Sequence, residues 1–103
     1  MEKYELRYLP LFYDDLSDAV NYIMENLHNP QAAENLVDAV EKAILLRQNN
    51  AESFEPYLSK CDREHTYYSI YVNNYVVYYV VLEHRIMEVR RFLYKGRNRE
   101  EII

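Results

Sequence analysis

The side chains of this 103-residue chain best suited to chemistry gather near its end, where Arg90, Arg91, Lys95, Arg97 and Arg99 flank Tyr94. Guanidinium and ammonium groups at that density hold an anion, either a phosphate chain or an acidic protein surface. From His84 onward the formal charge is +3, whereas residues 1–83 carry −8 of the chain's −5 total. A basic, solvated sheet edge has the same composition, but the asymmetry favours an anionic partner meeting this segment. Arg91 stands apart, because it shares a predicted face with Val89 and Leu93 and so points to a buried ion pair.

Other candidates carry less. Cys61 and His65 are spaced like half a metal site, but no second pair accompanies them and no metal is expected. Cys61 is the only cysteine and Gly96 the only glycine, which leaves no intrachain disulfide and no glycine loop to cradle a nucleotide; no cofactor is expected. Asp14 and Asp15 read as first-turn helix acids, and His84 reads as a turn residue. The twelve tyrosines are the largest compositional departure. Tyr67, Tyr71, Tyr78 and Tyr94 form either a platform for a partner helix or a stacked base, or half-buried sheet packing.

These side chains need a sheet and something to cover it. Residues 3–9 alternate bulky and polar groups and stop at Pro10, as a short strand does. Phe12, Leu16, Ala19, Val20, Ile23 and Leu27 then form one apolar helical stripe. The helix breaks at Asn29-Pro30, an N-cap and first-turn proline that open a second helix running to about Gln48. Its expected buried face is Ala33, Leu36, Val37, Val40 and Ile44. Residues 49–65 read as a loop pinned by Phe54, Tyr57 and Leu58. Three strands follow at 66–72, 75–82 and about 87–94, dense in Tyr, Val and Ile. A type I′ turn at Asn73-Asn74 would place Tyr71, Ser69 and Tyr67 opposite Val76, Tyr78 and Val80. Continuing those rows to Tyr94, Phe92 and Arg90 leaves Tyr68, Ile70, Val72, Val77, Val81, Val89 and Leu93 facing the helices.

The expectation is one α+β domain over residues 1–103, β-α-α-β-β-β, with a two-helix antiparallel hairpin on one face of a mainly antiparallel four-stranded sheet. The longest apolar run, Tyr75–Leu82, is too short to cross a bilayer, and MEKYELRYLP lacks the apolar stretch of a signal peptide. A soluble cytoplasmic protein with no membrane contact is the expectation.

The closing block YVVYYVVLEHRIMEVRRFLYKGRN and the hairpin DLSDAVNYIMENLHNPQAA, in this order and spacing, resemble the RelE/ParE superfamily of bacterial type II toxins, the hairpin leaning toward the ParE branch. That resemblance implies a toxin neutralised by a cognate antitoxin, in a hetero-oligomer or as a homodimer. RelE-like members cut mRNA on the ribosome and ParE-like members poison DNA gyrase; a third alternative is a toxin-like binding module without activity. Metal-free RNA cleavage needs a base, fixed cations and an acid. The positions where RelE carries lysines fall on Tyr67 and Ser69, the arginine of many related nucleases on Val76, and the histidine of some relatives on Leu93. Tyr94, Arg97 and His65 remain as catalytic candidates should the chain be a ribonuclease. Missing cations forgo roughly 3–4 kcal/mol for each well-placed donor, so gyrase is the expected target. Arg90, Arg91, Lys95, Arg97 and Arg99 are the expected target contacts; Tyr67, Tyr71, Tyr78, Phe92 and Tyr94 are the expected antitoxin contacts.

Overall fold

Pro10 opens a helix in addition to ending a strand. A computed structural model describes residues 3–57, 59, 62, 64–97 and 102–103. Its elements are β1 (Glu5–Tyr8), α1 (Pro10–Asn26), α2 (Pro30–Arg47), β2 (Tyr67–Val72), β3 (Tyr75–Leu82) and β4 (Ile86–Tyr94). Each helix places its proline in the first turn, where the missing donor has no intrahelical acceptor. Asn29 caps α2 as expected, its Oδ1 accepting the Ala32 N–H at 3.1 Å. Because α1 starts at Pro10, Asp14 and Asp15 lie beyond its first turn, which corrects their reading as first-turn acids. Leu27 falls past the end of α1 and is exposed, so the stripe stops at Ile23.

The sheet runs β1-β4-β3-β2, with β1 parallel to β4 and the other pairs antiparallel. It is the expected α+β arrangement. Phe12, Ala19 and Ile23 of α1 and Ala33, Leu36, Val40 and Ile44 of α2 pack on Tyr68, Ile70, Val72, Val77, Tyr79, Met87, Val89 and Phe92. The β2–β3 register is the expected one, Tyr67, Ser69 and Tyr71 opposing Val80, Tyr78 and Val76. Only Asn73 of the connecting turn has positive φ, at 54°, so the turn is not type I′. Glu83, His84 and Arg85 form the second turn, with positive φ at the last two.

The β3–β4 pairing departs from expectation. Tyr79 opposes Val89 and Tyr78 opposes Arg91, leaving Arg90 as an inserted bulge residue. Since side chains alternate faces, one extra residue reverses the alternation beyond it. Arg90 therefore keeps the face expected of it, while Phe92 turns to the helices and Leu93 turns away, each opposite to the reading above. The Phe92 ring stacks on Tyr75 at 4.8 Å and meets Phe12 edge-on at 6.2 Å.

The face away from the helices is not an open platform. Tyr67, Val76, Tyr78, Val80 and Leu93 are buried there with Ile103, and Tyr57, Leu82 and Ile102 pack against them. Tyr78 is 1% exposed and Tyr67 4%. A sheet this apolar on both faces buries its second face under the chain's own loop and tail residues. Leu58, a predicted pin of that loop, lies outside the described residues, whereas Tyr57 reaches Tyr78 at 5.7 Å and its N–H donates to the Tyr67 carbonyl at 2.7 Å. Phe54 lies instead under the Arg47 guanidinium, 3.5 Å from its ring centre. Arg47 also donates to the Tyr79 hydroxyl at 3.0 Å, which donates to the Ala51 carbonyl at 2.6 Å, and so ties the start of the loop to the sheet. Among the described residues, every buried side-chain polar atom has a hydrogen-bond partner.

Candidate functional site

The last strand and the turn after it carry most of the candidate side chains, and the bulge separates them. Arg90 points to the loop-covered face. Its Nε donates to Glu88 Oε1 at 2.9 Å, and its Nη1 donates to Asp62 Oδ2 and to the Tyr67 hydroxyl, each at 3.0 Å. His65 joins through Nδ1, 2.8 Å from the same Asp62 oxygen. Glu88 is buried, and Arg90 neutralises it. Burial raises the Tyr67 phenol above its ordinary value, more than the neighbouring Arg90 lowers it, so it stays a neutral donor.

Asp62 is the hinge of this network. Burial disfavours its charge, but hydrogen bonds from His65 and the Glu64 N–H, together with the Arg90 charge, outweigh that and hold its carboxyl below the usual aspartate range. A folded value below the unfolded one contributes stability above the unfolded value, near pH 4, and loses it as pH falls through the lower folded one. NMR resonances of His65, Tyr67 and Arg90 should therefore move together below about pH 4, while α2 resonances stay in place. A joint transition in the range where histidines ordinarily titrate would transfer the controlling role to His65.

Arg91 is paired differently. Beyond Tyr8 strand β1 has ended, and the edge of β4 that it would have covered is met by Asp15 of α1. The carboxylate accepts from Arg91 Nε at 2.7 Å and Nη2 at 2.9 Å, and from the Phe92 backbone N–H at 3.0 Å. The buried ion pair expected for Arg91 is present. Its partner could have been found, because Asp15 lies three residues after Phe12 and four before Ala19, on the apolar stripe itself. Asp62, a lone acid in an irregular loop, gives no such signal, and Glu88 lies two residues before Arg90 in β4, on the face that the sequence reads as open.

Past the bulge, Tyr94 and Arg97 border a groove of about 710 Å³ between the helical hairpin and the end of the sheet. Ala19, Ile23, Leu36, Tyr75 and Phe92 line its apolar part, and Asp18, Tyr22 and Asn73 its rim. Tyr94 is 56% exposed and sets its ring edge against Tyr75 at 5.7 Å. Lys95 and Arg97 are exposed, and the Lys95 ammonium lies 5.7 Å from the Tyr71 ring centre.

The candidate catalytic residues do not converge: His65 sits with Arg90 over one face, and Tyr94 and Arg97 border the groove on the other. Of the cationic cluster, Arg90 and Arg91 are committed to carboxylates, Lys95 and Arg97 are exposed, and Arg99 lies outside the described residues. Among the aromatic candidates Tyr67, Tyr78 and Phe92 are buried, and only Tyr71 and Tyr94 are accessible. Tyr94 belongs to the groove side, not to the face of Tyr67 and Tyr78. Val76 and Leu93, each 2% exposed, pack in the second core. Among the described residues no group of three His, Cys, Asp or Glu could hold a metal ion, and no helix is long and apolar enough to cross a membrane.

Residues 6–99 match the family described as ParE toxin of type II toxin-antitoxin system, parDE. The chain belongs to this family. It is thus the toxin member of a two-protein system, and an antitoxin is its partner. The ParE match takes in every element except Glu5, the first residue of β1. A search of curated proteins found no match. In this ParE-family toxin the candidate residues that are exposed, Tyr71, Tyr94, Lys95 and Arg97, lie at one end of the sheet.

Proposed function

We propose that this toxin arrests growth through DNA gyrase and not by cutting mRNA on the ribosome. The observation that carries the reading is the dispersal of the groups that metal-free RNA cleavage would need. A base, a cation and an acid must reach one phosphate together, yet His65 and the Tyr94–Arg97 pair occupy opposite faces of the sheet. The arginines nearest to each are neutralised by Asp62, Glu88 and Asp15. Buried Tyr67, Val76 and Leu93 stand where the nucleases hold cations or histidine. Target contact falls to exposed Lys95 and Arg97 beside Tyr94, with Arg99 following in sequence, and antitoxin contact to Tyr71 and Tyr94.

Inducing the chain alone should arrest growth, and co-expressing the adjacent reading frame should restore it. The purified chain should inhibit supercoiling by gyrase and leave ribosome-bound mRNA intact. Site-specific mRNA cuts that disappear in Tyr94→Phe or Arg97→Ala would replace this reading with the nuclease one.

A further inference from the structure

Two turns close one end of the sheet side by side. Asn73 and Asn74 join β2 to β3, and Lys95 and Gly96 turn the chain after β4, where the Arg97 N–H donates to the Tyr94 carbonyl at 3.0 Å. The Lys95 N–H donates to the Asn74 carbonyl at 2.7 Å and ties one turn to the other. Gly96 lets the second turn lie close, since a Cβ there would meet the Tyr94 ring at 3.3 Å.

What this tip exposes differs from the rest of the chain. Tyr71, Asn73, Asn74, Tyr94, Lys95 and Arg97 are exposed, and Val72, Val76 and Leu93 beside them are buried. Residues 71–76 and 93–97 hold no acid, in a chain with 17. Among the described residues neither Lys95 nor Arg97 is paired with a carboxylate. The carboxylates that border the groove beside Arg97 stand on α1: Asp15, spent on Arg91, and Asp18. Each of the two cations has an exposed tyrosine by it. The Lys95 ammonium lies 5.7 Å from the Tyr71 ring centre, and Arg97 lines the groove with Tyr94. Tyr71 opposes Val76 of the loop-covered face and Tyr94 opposes Tyr75 of the helix-covered one, so the two tyrosine–cation pairs flank the tip on opposite faces.

Resting on the gyrase reading, we propose that this tip contacts the DNA that gyrase holds and not a protein surface of the enzyme. Lys95 and Arg97 meet phosphates of the backbone. The amides of Asn73 and Asn74 reach sugar and base edges, and the two tyrosine rings stack on bases or lie along sugars. A two-stranded ribbon is narrow enough to enter the major groove, about 12 Å wide. Composition decides the class of partner. The core of a protein interface is apolar and poor in lysine, whereas residues 71–76 and 93–97 expose no aliphatic side chain and present lysine, arginine, amides and phenols together. Charge acts in the same direction: residues 1–83 carry −8, so DNA is repelled along most of the chain and admitted at this end. Antitoxin contact at Tyr71 and Tyr94 would close the same surface.

The test uses the full chain, gyrase and a DNA duplex that gyrase cleaves. Benzoylphenylalanine, a photoreactive residue that keeps an aromatic ring, replaces Tyr71 or Tyr94 in turn, and replaces exposed Glu83 at the opposite end of β3 as the control. On irradiation the first two chains should attach to DNA and the third should not. Lys95→Gln and Arg97→Gln, each at an exposed position, should leave thermal unfolding unchanged. Each should lower by about one the log–log slope with which salt weakens binding to the gyrase–DNA complex. Attachment of the first two chains to gyrase polypeptide alone overturns the proposal and gives the tip to a protein partner, as does a salt slope that both substitutions leave unchanged. The unsubstituted chain decides the gyrase reading first: without inhibition of supercoiling that reading fails, whereas inhibition with no attachment to DNA sinks only the tip's contact.

Discussion

Replacing Asp15 by alanine should destabilise the protein by about 3–5 kcal/mol, a large share of the roughly 5–15 kcal/mol that holds a domain folded. The carboxylate accepts three hydrogen bonds, and the two partners' side chains are 8% and 17% exposed. Its removal leaves the Arg91 guanidinium and the Phe92 N–H without their acceptor, at the place where α1 substitutes for the missing end of β1. Most of the cost comes from the stranded charge and not from the lost attraction. The double variant Asp15→Ala, Arg91→Met should therefore recover much of the loss. Urea unfolding of the three proteins measures both statements. A loss below about 1 kcal/mol in the single variant would show that water reaches Arg91 freely.

Tyr78→Ala should cost about 3–5 kcal/mol through the cavity it leaves. The ring is 1% exposed beneath Tyr57 and the Ile102–Ile103 pair, so the variant should reveal itself in thermal unfolding before any partner is added. Sequence reasoning treated the same residue as a binding anchor on an open face. A variant that melts like the parent but loses its antitoxin would restore that role. Truncating exposed Tyr71 should instead leave stability nearly unchanged.

What separates the two readings of Tyr78 is also what limits inference from sequence here. The start of α2 at Pro30, the Asn29 cap and the β2–β3 register depend on neighbours in the chain and were legible, whereas the start of α1 at Pro10 was not, because that proline also reads as the end of a strand. Arg91 announced a buried partner by its position among apolar residues. The faces of Phe92 and Leu93 were not legible, because a bulge at Arg90 depends on how β4 fits two strands at once and leaves no residue signature of its own. Nor was the covered state of Tyr67 and Tyr78, since the alternating apolar pattern marks a face as needing burial and does not say what buries it. The site followed suit: residue types marked a cationic end, but Asp62 and Asp15, which help decide which cations are spent internally, reach Arg90 and Arg91 across the fold.

The strand order has a consequence for synthesis. Among the described residues β1 has its one sheet partner in β4, the strand farthest from it in sequence, with Glu5 against Ile86 and Tyr8 against Val89. On the ribosome, β1 and the apolar face of the hairpin that follows it must wait until β4 has emerged. The helical hairpin can form early from local contacts, but the surface it is built to cover does not yet exist. In a member of a toxin family, this topology delays the finished fold until β4 is available to pair.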